Sequence, residues 1–294
     1  MSSLAVENAV ALAKSLGLTV DAPVVLKDAS NVVLHLAPAP VVARVATSTA
    51  LVRPNAAQSL RRELDVARFL AEKGAPAAEP SKEIDPGPHV YDGYSISFWN
   101  YVEHNPDITI PVRTAAPVLR ELHAALMSYP GELPYLGPVI NEMPRWLRYL
   151  EAYHGLSSSD MMMLREAEWR LSEVLRKSKI RPQALHGDAH VNNLLKTPKG
   201  LIWTDFEDTC RGPVTWDIAC LVHKIAHGSD GTGLKAALDA YGRLSGHRLA
   251  LEELQPYLDA RELEGLVWSH ILAMRFPERR DQAAALLEAW RNRL

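Results

Sequence analysis

The sequence predicts an α+β protein in two parts, a small antiparallel sheet followed by a mostly helical remainder. Three observations support this prediction. β-branched runs separated by turn residues dominate the first hundred residues, helical periodicity dominates from about residue 103, and 47% of the 294 residues are apolar, which is enough for a large core. We place the boundary between residues 102 and 103, so the predicted lobes are 1–102 and 103–294.

Strand and turn patterns alternate in the first half. Two β-branched runs flank the turn formers of residues 28–31, which is typical of a hairpin. Gly17 and Gly74 each follow a helical stretch and indicate where a helix ends. In chain order the predictions are a helix over 4–16, strands over 24–26, 32–36 and 41–45, a helix over 59–73 and a strand over 94–99.

Helical periodicity dominates the second half, with one short β insertion. The insertion covers residues 185–195 and 201–204, where two apolar runs surround polar residues. Helices are predicted over 115–127, 144–153, 160–177, 214–227, 233–244, 252–274 and 279–293.

Composition excludes several classes of protein. A net charge of −3, from 32 basic and 35 acidic residues, argues against a nucleic-acid partner, which requires a clustered basic surplus. No run of eighteen apolar residues occurs, so we expect no membrane partner. Two cysteines do not form a disulfide framework, and a cytoplasmic location is expected. The oligomeric state stays open.

Two apolar runs of the β insertion each deliver polar side chains to the segment that follows. Asp188 and Asn193 follow the first run, and Asp205 follows the second. A hairpin of this kind can hold all three at one end, where two carboxylates and an amide oxygen suit Mg²⁺ better than Zn²⁺. Phosphoryl transfer needs little beyond such a metal site, a positioned base and a cation on the phosphates. The plainer alternative is that all three are ordinary turn residues.

This segment resembles the aminoglycoside phosphotransferase and choline kinase family, which are small-molecule relatives of the protein kinases. The resemblance lies in the pattern His-x-Asp-x-x-x-x-Asn at 186–193, in Asp205-Phe206, and in Trp216-Asp217. Weaker matches lie at Ser30, Asn31, Arg44, Glu63 and 119–124. The resemblance implies a two-lobed protein-kinase-like fold, with a small antiparallel-sheet N-lobe for the nucleotide and a mostly helical C-lobe for catalysis and acceptor binding.

The resemblance implies a role for each polar residue of the catalytic segment. Asp188 accepts or orients the proton of the acceptor hydroxyl, and His186 steadies the loop. Asn193 and Asp205 hold Mg²⁺ against the nucleotide phosphates. Asp217 braces the loop through backbone N–H groups.

The resemblance also implies a nucleotide site in the first lobe. Ser30 and Asn31 contact phosphates from the hairpin turn, while Arg44 binds phosphate and pairs with Glu63. Arg44 stands where aminoglycoside kinases use Lys, and a guanidinium binds phosphate oxygens in pairs. The base hydrogen-bonds to backbone at Trp99, Asn100, Tyr101 and Val102. The resemblance implies ATP as the phosphate donor, and GTP is an alternative donor.

Acidic residues near the predicted metal indicate the acceptor. Glu207 and Asp208 come directly after the Asp205-Phe206 pair, and Trp216 lies beside the catalytic segment. An acidic rim favours a cationic acceptor such as an aminoglycoside, an amino sugar or an amino alcohol. Acids that only tune the metal are the alternative. A resistance enzyme and a metabolic kinase look alike at this level.

Three functional hypotheses follow. The first is an ATP-dependent phosphotransferase that moves the γ-phosphate directly to a hydroxyl of a small molecule. The second is a nucleotide-binding protein of the same fold without transfer activity, motivated by Arg44 and the unassigned acceptor. The third is a metal-dependent hydrolase built on His186, Asp188 and His190, with zinc ligands completed by His223 and His227.

Overall fold

The structure is a computed structural model that describes residues 2–53, 55–226, 231–242 and 249–293. The helices are α1 (Ser2–Ser15), α2 (Ser48–Val52), α3 (Ala56–Glu72), α4 (Val112–Leu126), α5 (Met143–Ala152), α6 (Ser158–Arg176), α7 (Thr215–Ala226), α8 (Thr232–Tyr241), α9 (Leu251–Arg275) and α10 (Arg280–Arg291). The strands are β1 (Val24–Asp28), β2 (Asn31–His35), β3 (Val41–Ala46), β4 (His89–Tyr91), β5 (Tyr94–Asn100), β6 (Gln183–Leu185), β7 (Leu194–Thr197), β8 (Gly200–Trp203) and β9 (Cys210–Gly212). The predicted α+β class is confirmed.

The chain folds as two compact units. Residues 1–108 and 195–207 form the first unit, and residues 109–194 and 208–294 form the second. The β7–β8 hairpin therefore belongs largely to the first unit, although most of its sequence neighbours belong to the second. The division into functional lobes at residue 102 stays a prediction.

A five-stranded antiparallel sheet dominates the first unit. Its strand order is β1-β2-β3-β5-β4. Alternate residues of the central strands point to one face, where Leu34, Val45 and Phe98 are fully buried beneath the apolar side of α1. Arg44 lies on β3 between two buried neighbours and so points to the opposite face.

Helix α3 places a carboxylate in the interior of the first unit. The side chain of Asn55 caps the helix by accepting a hydrogen bond from the backbone N–H of Gln58. Leu60, Leu64 and Ala67 form its buried stripe. Glu63 lies on this same side and is buried with them.

The second unit is built around the long helix α9. This helix packs against α5, α6, α7 and α10. Strand β6 pairs with β9, and the loop that leaves β6 carries the segment 186–193, which ends in a single 3-10 turn over Val191–Asn193. Across the described ranges, no helix has an apolar stretch long enough to cross a bilayer.

Most predicted elements are present, with ends that differ by a few residues. The β structure predicted over 185–195 is instead two short strands, β6 and β7, separated by a loop and a 3-10 turn, and β6 pairs with β9 while β7 pairs with β8. Strands β4 and β9 and the short helix α2 were not predicted, because segments of three to five residues show too little periodicity to be recognised. A π-helical turn over Gly137–Glu142 also escaped prediction. The predicted helix ends at His227 and Leu244 lie outside the described residues.

Candidate active site

A buried arginine holds three carboxylates together in the first unit. Nη1 of Arg44 lies 3.1 Å from Oε1 of Glu63. Nη2 lies 2.6 Å from Oδ1 of Asp205 and 3.0 Å from Oε2 of Glu207. Burial opposes its charge, but Asp205, Glu63 and Glu207 hold the pKa of Arg44 well above its usual range. The guanidinium is therefore charged, and a planar fork suits this arrangement better than an ammonium.

Glu63 connects α3 to the segment after β8. Its Oε1 also accepts a hydrogen bond from the backbone N–H of Phe206, at 3.1 Å. Burial raises the pKa of Glu63 to about 8 despite the attraction of Arg44, and the nearby carboxylates add to that rise. The Arg44–Glu63 pair that the resemblance implied is present in the structure.

Asp205 adopts an uncommon backbone conformation at the end of the β7–β8 hairpin. Its φ of +69° lies in the left-handed region, where Asp and Asn occur more often than most residues. The carboxylate is partly exposed and lies 3.9 Å from Nζ of Lys27, in addition to its contact with Arg44. The strained turn thus presents a carboxylate beside two cations.

Besides Arg44, the carboxylate of Glu207 contacts two other polar side chains of the first unit. Its carboxylate accepts hydrogen bonds from Nδ2 of Asn31 at 3.1 and 3.2 Å and lies 3.1 Å from Nη1 of Arg53. Nη2 of Arg62 donates to its backbone carbonyl at 3.4 Å. The predicted contact of Glu207 with the acceptor stays a prediction, and its buried neighbours give it a structural role. Arg53 and Arg62 were not predicted, since no spacing in the sequence links them to Glu207.

The side chain of Asn31 makes several hydrogen bonds within the first unit. Besides donating to Glu207, it accepts hydrogen bonds from Oγ1 of Thr49 at 2.6 Å and from the backbone N–H of Thr47 at 3.4 Å. The carbonyl of Ser30 accepts from the backbone N–H of Ser48 at 2.9 Å. The phosphate contacts predicted for Ser30 and Asn31 stay predictions.

The segment predicted to bind the base covers the last two residues of β5 and the two residues after it. The backbone N–H of Asn100 donates to the carbonyl of Glu79, and that of Tyr101 donates to the carbonyl of Pro40. Trp99 is buried, and the carbonyl of Val102 contacts Nδ1 of His104 at 2.8 Å. The predicted base contacts at 99–102 stay predictions. The bonds already made by Asn100 and Tyr101 point to Val102 as the stronger candidate.

In the second unit, one carboxylate fixes the backbone of the loop after β6. The oxygens of Asp217, in the first turn of α7, accept hydrogen bonds from the backbone N–H groups of His186 at 2.8 Å and Gly187 at 2.9 Å. Gly187 has φ of +90°, and a Cβ there would lie 1.8 Å from the carbonyl oxygen of Asp208. Only glycine fits this close approach.

Two aromatic side chains complete the support of the loop. Nε1 of Trp216 donates to the carbonyl of Gly187 at 2.7 Å, and Trp216 is fully buried. Nε2 of His123, on α4, lies 2.9 Å from Oδ2 of Asp217. The predicted acceptor contact of Trp216 stays a prediction, while its geometry gives it a clear role in holding the loop. Asp208 is half-buried in the second unit.

Asp188 lies in this loop with both carboxylate oxygens contacted. Oδ2 lies 3.2 Å from Nδ2 of Asn193 and 3.2 Å from Nε2 of His190. Oδ1 lies 2.6 Å from Nη2 of Arg261, on α9. Burial alone would raise the pKa of Asp188, but Arg261 and His190 hold it well below its usual range. His186 is fully buried, and its Nδ1 lies 3.3 Å from the backbone N–H of Asp188.

The predicted site residues therefore form two groups. Arg44, Glu63, Asp205 and Glu207 come together in the first unit, whereas His186, Asp188 and Asn193 come together in the second. Asp205 and Asn193 supply oxygen atoms, which are the ligands that a hard divalent cation prefers. Among the described residues, no three His, Cys, Asp or Glu side chains form a metal-binding group, and His227 lies outside them. These oxygen donors fit Mg²⁺.

Comparison of the chain with known families gives one match that covers most of its length. Residues 21–257 match the family described as the phosphotransferase enzyme family, abbreviated APH. No curated protein matches the chain significantly.

Solved structures with the same fold include three kinases of small molecules. Amicoumacin kinase hAmiN, in complex with AMP-PNP, Ca²⁺ and Ami, has a TM-score of 0.68 at 15% identity, over 93% of this chain and 92% of its own. A choline/ethanolamine kinase family protein from Mesorhizobium loti has a TM-score of 0.63 at 18% identity, over 98% and 93%. A microcompartment-associated aminopropanol kinase has a TM-score of 0.62 at 19% identity, over 96% of both chains. These similarities confirm the predicted two-lobed kinase-like fold.

Proposed function

The chain belongs to the phosphotransferase enzyme family and is a small-molecule kinase, and we propose that it transfers the γ-phosphate of ATP to a hydroxyl of its acceptor. The acceptor oxygen attacks the γ-phosphorus, and the bond from that phosphorus to the β–γ bridging oxygen breaks. ADP leaves with the electron pair of that bond. The hydroxyl proton passes by way of Asp188 to solvent. In-line transfer of this kind depends mostly on positioning and charge stabilisation.

The observation that carries this proposal is the placement of Asp188. Its loop is fixed by Asp217 and Trp216, yet its side chain remains 20% exposed. A rigid backbone with a partly accessible carboxylate is the arrangement expected of a residue that receives a hydroxyl from solution.

Arg44 supports the assignment of the nucleotide to the first unit. Phosphate oxygens can replace carboxylate oxygens on a guanidinium, because both accept paired N–H donors. Arg44 is charged and already bound to Asp205 and Glu207. The similar amicoumacin kinase was solved with AMP-PNP.

We propose that a divalent cation, Mg²⁺ in the cell, accompanies the nucleotide. Asp205 and Asn193 would be its ligands. When bound, such an ion neutralises charge on the phosphates. Within this chain, Arg44 and Lys27 offset the charge of Asp205. The similar amicoumacin kinase contains Ca²⁺, another cation that prefers oxygen ligands.

We propose an amino alcohol or amino sugar as the acceptor. Two of the similar structures are named as an aminopropanol kinase and a choline/ethanolamine kinase family protein. The cytoplasmic location stays a prediction, and the choice between ATP and GTP is settled by assaying both.

The test is an acceptor screen with the full chain, using ATP and GTP in parallel and an ADP- or GDP-coupled readout. The panel contains amino alcohols, aminoglycosides and amino sugars, with uncharged polyols as matched controls. We expect acceptor-dependent nucleotide turnover and a phosphorylated product identified by ³¹P NMR. Asp188→Asn should lower kcat about 100-fold or more, because transfer loses its base.

Two outcomes would contradict the proposal. Tight Mg–ATP binding without turnover of any acceptor would favour the nucleotide-binding alternative. Stoichiometric, tightly held zinc in the purified protein would favour the hydrolase. Asp205→Asn separates metal from base, since it should weaken Mg–ATP binding, whereas Asp188→Asn should leave that binding intact.

A further inference from the structure

Asp188 has a partner that no motif of the sequence indicated. Arg261 lies on α9, more than seventy residues beyond Asp188 in the sequence. Its Nη2 lies 2.6 Å from Oδ1 of Asp188, and its Nη1 lies 2.5 Å from Oε2 of Glu264. The guanidinium thus lies between two carboxylates of the second unit.

Because Arg261, Asp188 and Glu264 are largely buried, separating the guanidinium from either carboxylate would be energetically unfavourable. The side chain of Arg261 is 13% exposed and that of Glu264 is 5% exposed. An uncompensated charge at such a position is strongly destabilising, so the guanidinium holds its carboxylates tightly. Arg261 and Glu264 are three residues apart on one helix, which places both side chains on the same face of α9.

The two oxygens of Asp188 have different surroundings. Oδ1 is buried beside Arg261, and the contact is an ion pair without the alignment of a hydrogen bond. Oδ2 lies beside Asn193 and His190. Because Oδ1 is buried while the side chain remains 20% exposed, Oδ2 is the oxygen that can meet an acceptor hydroxyl.

We propose that Arg261 is a positioning residue for phosphoryl transfer: it holds Oδ1 of Asp188 so that Oδ2 faces the acceptor. Glu264 fixes the guanidinium from the other side. This inference rests on the proposed function, in which Asp188 receives the hydroxyl. A carboxylate that turns away from the hydroxyl loses its hydrogen-bond geometry, and misplacement by about 1 Å can cost ~100-fold in rate.

The experiment compares four variants of the full chain with the wild type, with the best acceptor from the screen. Arg261→Gln should lower kcat about 10- to 100-fold while the KM for ATP changes little, because the residues proposed for ATP lie on other elements. Arg261→Lys should recover part of this loss by restoring the charge. Glu264→Gln should show a smaller loss than Arg261→Gln. Arg170→Gln, which breaks an exposed Arg–Glu pair on α6, is the matched control and should match the wild type.

Chemical rescue separates positioning from general support of the fold. Arg261→Ala leaves space for a guanidinium, so millimolar guanidinium ion should raise its kcat and leave Arg170→Gln unaffected. Unfolding measurements check that the variants are folded.

Three outcomes would overturn the inference. They are an unchanged or higher kcat in Arg261→Gln, a loss confined to the KM for ATP, and a lack of rescue in a folded Arg261→Ala. Inactivity of the wild type with every acceptor would instead remove the proposed function, and this inference with it.

Discussion

Nη2 of Arg44 lies 2.6 Å from Oδ1 of Asp205, so β3 and the end of the β7–β8 hairpin meet through a single buried nitrogen. The same nitrogen is 3.0 Å from Glu207. One cation thus fixes two acids that follow β8, and changes to this cation should affect both folding and nucleotide binding.

Replacing Arg44 with Lys keeps the charge but removes the fork that reaches three carboxylates. We expect Arg44→Lys to lower the free energy of unfolding by about 1–3 kcal/mol, because a buried acceptor loses its partner. We also expect weaker Mg–AMP-PNP binding. Urea denaturation and isothermal titration calorimetry measure these effects. Arg68→Lys alters an exposed pair with Asp65 and should change neither quantity; equal effects in both variants would contradict the prediction.

Asp217 should contribute strongly to stability, because its two oxygens accept from two backbone N–H groups and contact His123. In Asp217→Asn an amide NH₂ faces a donor. We expect a loss of about 1–3 kcal/mol in the free energy of unfolding, together with a lower kcat. Asp281→Asn, on the exposed start of α10, is the control. A fully stable Asp217→Asn would show that the loop does not depend on this carboxylate.

Glu264 should make stability depend on pH. Burial raises its pKa from 4.5 to about 7 despite the opposing charge of Arg261. Between these values the folded state holds a proton that the unfolded state has lost. Its contribution to stability is therefore present below pH 4.5 and is lost as the pH rises through about 7.

Glu264→Gln cannot lose this proton. We expect the unfolding free energy of the wild type, relative to Glu264→Gln, to fall as the pH rises from 5 to 8, by at most ~1.4 kcal/mol per pH unit. Denaturant titrations across that range measure the difference. A difference that stays constant with pH would contradict the raised pKa.

Trp216 distinguishes support of the loop from contact with the acceptor. Trp216→Phe removes the hydrogen bond to Gly187 while keeping a buried ring, so we expect about 1–3 kcal/mol of lost stability and a lower kcat. The KM for the acceptor should change little. Trp146→Phe is the matched control, since Nε1 of Trp146 is buried without a hydrogen-bond partner among the described residues. If the KM for the acceptor changed as much as kcat, the result would indicate that Trp216 contacts the acceptor.

Local spacing explains what the sequence could predict. Asp188 and Asn193 lie five residues apart in one loop, and Asp205 ends the hairpin that follows, so one short segment carries the whole pattern. Local periodicity likewise predicts the order of the strands and helices. Arg44 and Glu63 were found only through the family resemblance, because a lone charged residue on a strand or helix has no local signature.

Packing between distant segments explains what the sequence could not predict. Arg261 reaches Asp188 only because α9 packs against α7 in the second unit. Arg53 and Glu207 meet across more than 150 residues of chain. The contacts of Glu207 with Asn31 and two arginines likewise join segments that are distant in the sequence. Periodicity shows which face is buried and does not show which partner it meets.

The carboxylate of Asp217 accepts from the loop backbone and contacts a helix at the same time. Folding and chemistry therefore share one side chain, and a change there alters protein yield along with turnover. In directed evolution toward a new acceptor, codon 217 should be left out of the library. Otherwise, selection at that codon would favour variants by their yield of folded protein rather than by the acceptor that they phosphorylate.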